Sequence, residues 1–235
     1  MGEVGAIVPL PSTFIGNKVA AFGPVAGQAP LARVLRTMIS GLSGPGDAVV
    51  AAARALIDDV RECLGAHDLS TVGLVVSGDH ADRAGCVTSA LEFLAGENVS
   101  ARWVLLHDLR RPLASPDLSR RVTAALRAGS DVVMPALPVT DSVKAVDARG
   151  SVTGTVDRSA LRSVQYPRGF TVDQLTALLA ARAGESFDEF DEAVRAGVPI
   201  TLVDGDPSAI FAELPRDTAF LEAIIACGLV DRHRR

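Results

Sequence analysis

Cysteine is scarce in this 235-residue chain: Cys63, Cys86 and Cys227 stand far apart, with no C-x-x-C among them. That spacing excludes a disulfide framework and a cysteine-built zinc site, and it fits reduced thiols in a cytoplasmic protein. Histidine is scarce too, and His67, His80 and His233 share no metal-ligand spacing. Positive charge is in deficit, since 23 Lys and Arg face 28 Asp and Glu for a net charge of −5. General affinity for nucleic acid or for an anionic membrane is therefore not expected, and a phosphate ligand would have to meet a local basic cluster. Long hydrophobic runs are missing, none reaching the ~20 residues that a membrane-spanning helix needs. The first residues, MGEVGAIVPLP, carry an acid where a signal peptide has its basic residues. No internal repeat, low-complexity tract or long linker divides the chain, so residues 1–235 read as one domain.

What is present alternates. Val4–Val8, Ala48–Ala51, Val72–Val76, Arg102–Leu106, Asp131–Pro135 and Ile200–Val203 are short apolar runs of strand type. Between them, Leu31, Val34, Leu35 and Met38 fall at helical spacing. So do Ala53, Leu56, Ile57, Val60 and Leu64, and so do Leu118, Val122 and Leu126 in a segment opened by Ser115. Strand and helix in alternation predict an α/β fold: three Rossmann-like layers with a mainly parallel, twisted sheet and helices on both faces. One segment interrupts it. From Pro138 to Val156 two β-type runs flank Ala148, Arg149 and Gly150, which predicts a hairpin with an edge that something must cover.

The chemistry concentrates after the fourth strand run. Ligands of parallel sheets bind beyond the carboxyl ends of the strands, where this chain places His107, Asp108 and Arg111. Arg110, Arg111, Lys144 and Arg158 form the best candidate basic cluster. The acidic run Asp188, Glu189, Asp191 and Glu192 reads as one solvated helix face, and the RHRR tail at 232–235 as a frayed terminus.

Three blocks, HDLRRP at 107–112, PVTDSVK at 138–144 and TVDRS at 155–159, stand in order. Together they resemble the 2-C-methyl-D-erythritol 4-phosphate cytidylyltransferases, with their H-D-A-A-R-P, P-V-x-D-T-x-K and T-V-D-R. Likeness continues through QYPRGF at 165–170, FDEFDEAVRAG at 187–197 and VDGDPSAI at 203–210. The resemblance implies transfer of CMP from CTP to a polyol phosphate with release of pyrophosphate, and Mg2+ bound with the CTP. It also implies a homodimer in which residues 138–157 form an arm that embraces the partner. By the same resemblance Lys18, Asp108 and Arg158 are catalytic, and Asp108 holds the metal. Asp108, Arg111, Ser142, Arg158 and Asp188 meet the acceptor. Pro9, Leu10, Gly16, Gly78, Asp79, Arg83 and Cys86 line the nucleotide.

The departures from the family pattern are chemical. VPLPSTFIGNKVAAF at 8–22 has one glycine, no arginine and an added Pro11 where the family has a glycine-rich phosphate loop. Cys86 replaces a serine hydroxyl with a weak thiol donor and reads as a small buried hydrophobe. Leu109 and Arg110 replace two alanines; Phe187 and Tyr166 replace threonines. Phe211 replaces a lysine whose charge would meet the acceptor phosphate. Two readings stay open: an active transferase, with this or another acceptor, and a homologue that binds or regulates without turnover.

Overall fold

A computed structural model describes residues 3–96, 101–182, 184 and 186–228; His233 and the RHRR tail lie outside them. Strand β1 (Val4–Leu10) is followed by a 3-10 helix (Ser12–Asn17) and a short α1 (Val19–Phe22). Then come α2 (Pro30–Ile39), β2 (Ala48–Ala52), α3 (Ile57–Ala66), β3 (Gly73–Val76), α4 (Arg83–Gly96), β4 (Trp103–Leu106), α5 (Pro116–Arg127) and β5 (Val132–Pro138). The hairpin strands are β6 (Val143–Val146) and β7 (Val152–Val156). After β8 (Arg162–Val164) and β9 (Arg168–Thr171) follow α6 (Val172–Ala181), α7 (Glu189–Arg195), β10 (Thr201–Asp204) and α8 (Thr218–Ala226).

The main sheet runs β10-β5-β9-β4-β1-β2-β3, with β8 paired to β5. Strands β4, β1, β2 and β3 are mutually parallel, as are β5 and β10. Strand β9 lies antiparallel between β4 and β5. The apolar runs thus form the parallel framework that alternation predicts. Residues 168–171 were not among those runs because Arg168 and Gly169 break the apolar pattern, and β9 forms only through neighbours on both sides.

Two apolar layers close the faces. Ala6, Val8 and Leu10 of β1 pack with Leu31 and Leu35 of α2, Val60 of α3 and Val122 of α5. Ile7 points the other way, into Val87 of α4, Leu175 of α6 and Ala193 of α7, as the two-residue period of a strand requires. Helix α2 opens with Pro30 at its first position and α5 with Pro116, where a missing N–H costs nothing. Gly169 lets α5 lie close on β9: a Cβ there would run into Val122 and Leu126.

The hairpin expected over residues 138–156 is present. Among the described residues, strands β6 and β7 pair only with each other, with a register shift at Ala145/Val146. Asp147 organises the turn, its carboxylate accepting from the N–H groups of Arg149 and Ser151 at 2.9 Å each. Val146 and Val152 are left exposed.

Candidate functional site

The strand order supplies the position. From β1 the chain steps outward to β2 and β3, then returns to place β4 on the other side of β1. Such a reversal opens a crevice beyond the carboxyl ends of the strands, and His107 and Asp108 follow directly on β4. The His107 N–H donates to the Ile7 carbonyl at 3.0 Å, prolonging the ladder by one residue. His107 Nδ1 lies 2.8 Å from the Asp108 backbone nitrogen and 3.0 Å from the Asp108 carbonyl oxygen, while Nε2 is a buried atom with no hydrogen-bond partner among the described residues. Burial pushes the fully enclosed imidazole down to about 4, so His107 is neutral at pH 7.

Asp108 is almost buried, and Arg110 holds both of its oxygens. The Arg110 N–H reaches Oδ1 at 2.9 Å, Nε reaches Oδ1 at 3.0 Å, and Nη2 reaches Oδ2 at 2.6 Å. Burial would raise this carboxyl, but the Arg110 hydrogen bonds and the charges of Arg83 and Arg110 outweigh it and hold the group at about 2. The guanidinium of Arg110 lies 5.2 Å from the centroid of the Phe211 ring. Main-chain bonding fixes the two residues side by side, since the Ala212 N–H donates to the Arg110 carbonyl at 2.8 Å.

Behind Asp108 lies a second ionic group. Glu189, fully buried, accepts from Arg83 at 2.6 Å, from Arg168 at 2.7 Å and from the Tyr166 hydroxyl at 3.2 Å. Arg168 also reaches both oxygens of Asp188, at 2.9 and 3.0 Å. The Tyr166 ring is flanked by both guanidiniums, Arg168 at 4.2 Å and Arg83 at 5.5 Å from its centroid. Burial, and then the Glu189 charge, drive the phenol well above its usual range. Gln165 clamps the segment that carries Phe211. Its side-chain N–H2 donates to the carbonyls of Asp206 and Ala209, and its Oε1 accepts from the Asp206 N–H.

A strand-end carboxylate amid guanidiniums is an anion-handling site, and the comparisons with known proteins define its kind. The family model for IspD, 2-C-methyl-D-erythritol 4-phosphate cytidylyltransferase, matches residues 17–227. The chain belongs to this family. It is 35% identical over 231 residues to the 2-C-methyl-D-erythritol 4-phosphate cytidylyltransferase of Rhodococcus opacus (strain B4), covering 97% of each chain. With that of Nocardia farcinica (strain IFM 10152) it shares 38% over 229 residues, covering 95% of this chain and 94% of the other. The solved cytidylyltransferase of Thermus thermophilus superposes with a TM-score of 0.70 at 27% identity, covering 96% of this chain and all of that one. The 4-diphosphocytidyl-2C-methyl-D-erythritolsynthase of Anaerococcus prevotii DSM 20548 shows the same fold, with a TM-score of 0.76 at 21% identity over 95% of this chain and 96% of that one.

The structure brings some of the family-implied positions together and leaves others apart. Asp108, Arg111, Arg83 and Asp188 converge at the strand tips. Arg111 turns inward, donating to the carbonyls of Ala209 at 2.5 Å and Val164 at 3.0 Å. Cys86 is fully buried in α4, and burial pushes its thiol up to about 11. Pro9 and Leu10 lie within β1 opposite Ala51 and Ala52. Gly16 is exposed in the 3-10 helix that replaces a phosphate loop. Lys18 pairs with Asp59 at 2.7 Å, and Asp79, next to the positive-φ Gly78, pairs with Arg54 at 2.8 Å. Ser142 and Arg158 are exposed at the base of the hairpin, where Arg158 donates to the Thr140 carbonyl.

Two expectations are corrected. The run 188–192 is not one solvated face: Glu189 and Glu192 are buried and Asp191 is exposed. Asp188 caps α7 by accepting from the N–H groups of Phe190 and Asp191, and helical spacing then turns 189, 192 and 193 inward together. The basic cluster within one chain is Arg83, Arg110, Arg111 and Arg168, whereas Lys144 bonds Thr155 on the hairpin. Arg168 and Glu189 were missed as site residues. Their signal was a pair of charges at positions whose neighbours, Phe170 and Ala193, belong to the core.

Proposed function

We propose that the protein transfers a cytidylyl group from CTP to 2-C-methyl-D-erythritol 4-phosphate. An oxygen of the acceptor phosphate attacks the α-phosphorus, the bond to the β-phosphate bridge breaks, and pyrophosphate leaves. The observation that carries this reading is Asp108 at the topological switch point, backed by four guanidiniums, in a chain of this family. Phosphoryl chemistry of this kind needs positioning and compensation of charge more than covalent help.

Among the described residues no cluster of three metal-ligating side chains exists, so a cation would draw on fewer than three protein side chains, with Asp108 at the strand tip as the one that would hold it. That fits Mg2+, which is commonly held by one or two carboxylates with substrate phosphates completing its shell. When bound it would neutralise the triphosphate. Arg110 has to release Asp108 for this, and the guanidinium is exposed enough to swing. Arg158 serves from the hairpin of a second copy: β6 and β7 have no other strand partner among the described residues, and Val146 and Val152 present an apolar surface suited to a homodimer. No helix among the described residues is long and apolar enough to cross a membrane.

The test is phosphorus NMR of CTP, Mg2+ and the acceptor incubated with the protein. A new diphosphate linkage joining cytidine to the polyol, with one pyrophosphate per linkage, is the expected result. Bound but unchanged substrates would assign the chain a binding role.

A further inference from the structure

Four guanidiniums meet three carboxylates at the strand tips, and they are not equivalent. Arg83 and Arg168 are spent on Glu189, Tyr166 and Asp188, and Arg111 on two main-chain carbonyls. Arg110 alone stands on the rim, its side chain 54% exposed and its Nη1 without a partner among the described residues. The ring of Phe211, itself 47% exposed, supports one face of the guanidinium. The edge carrying Nε and Nη2 is held by Asp108. A ring seat fixes a guanidinium's plane without consuming its N–H donors. The guanidinium is thus a pre-oriented cation whose one polar partner among the described residues is the carboxylate that the reaction needs free.

We infer that Arg110, seated on Phe211, is the specificity-determining residue that recognises the phosphate of the acceptor. The inference rests on the reading given under Proposed function and names the residue that enforces its substrate class, a phosphate monoester rather than a free polyol. In the resting protein Asp108 occupies the guanidinium fork. When the acceptor arrives, its phosphate takes the fork bidentately and Asp108 is released. Position 211 carries no charge of its own, and position 110 supplies one within reach of the same ring.

The test uses the full chain with Arg110→Ala, Arg110→Lys and Phe211→Ala, with thermal melts to show that each variant folds. KM is measured for CTP and for 2-C-methyl-D-erythritol 4-phosphate, and calorimetry measures binding of that acceptor and of its dephosphorylated polyol. Arg110→Ala should raise KM and Kd for the phosphorylated acceptor about tenfold to a hundredfold, the loss of a charge-assisted contact. KM for CTP should move by less than about twofold and binding of the polyol not at all. Arg110→Lys should fall between, keeping the charge without the fork, and Phe211→Ala should shift the same parameter by less. An unchanged acceptor KM and Kd, or an equal rise in the KM for CTP, overturns the role of Arg110 alone. If the wild-type protein neither turns over nor binds the phosphorylated acceptor, the reading under Proposed function falls and takes this inference with it.

Discussion

Replacing Glu189 with glutamine would remove one negative charge from the centre of the buried ionic group while keeping its volume. Arg83 at 2.6 Å, Arg168 at 2.7 Å and the Tyr166 hydroxyl all converge on this carboxylate, which is inaccessible to solvent. The amide oxygen of glutamine can keep either the Arg83 bond made to Oε1 or the Arg168 and Tyr166 bonds made to Oε2, and its amide nitrogen then faces the other guanidinium, donor against donor. Breaking a buried pair by removing one partner costs about 3–5 kcal/mol, because a charge is left buried without compensation. At about 2–4 °C per kcal/mol for a chain of this size, the lower figure alone predicts a fall in Tm of about 6–12 °C. Thermal melts and urea titrations would be read beside Asp191→Asn, an exposed change on the same helix that should stay within about 0.5 kcal/mol. Adding Arg168→Gln to Glu189→Gln should cost less than the sum of the two. A Glu189→Gln protein as stable as the Asp191→Asn protein would refute the account of this cluster.

The remaining predictions concern the site and its neighbours. Arg158→Ala should lower kcat/KM by about a hundredfold or more while leaving unfolding free energy within about 0.5 kcal/mol, since the residue is exposed on the hairpin; an unchanged rate removes Arg158 from the reaction. His107 binds its proton near pH 6.5 when unfolded and near 4 when folded, so the unfolded state holds more protons between those values. Stability should therefore fall as pH drops from about 6.5 to 4, by at most about 3 kcal/mol, and His107→Gln should flatten that limb in urea titrations across the range. Asp108, held low by Arg110 and Arg83, adds a further loss as pH falls from about 4 toward 2. Gly169→Ala should cost about 1–3 kcal/mol by driving a methyl group into Val122 and Leu126; a neutral effect in denaturant titrations would show that α5 can shift.

The parallel framework was legible because each of its strands is a contiguous apolar run and α2, α3 and α5 each keep one apolar stripe, whereas α4 between β3 and β4 carries apolar residues around much of its surface and shows no such stripe. Strands β8 and β9 were not, because RSV and RGFT have no apolar period and become strands only by pairing with β4 and β5. Asp108 could be found from its place after a buried strand. The occupation of its carboxylate could not, since nothing at the level of spacing says that Arg110 folds back two residues or that Phe211 lies under it. The same limit hid Glu189. A run of four acids has the composition of a solvated face, and only the arginines delivered by β9 and α4 explain why Glu189 is buried.

The most direct test of the account is the steady-state release of pyrophosphate from CTP and Mg2+, with and without 2-C-methyl-D-erythritol 4-phosphate. The account predicts release that depends on the acceptor and saturates with it. Folded protein that releases none with the acceptor present, or that releases it at the same rate without, would contradict the claim that this rearranged set of cations still performs cytidylyl transfer.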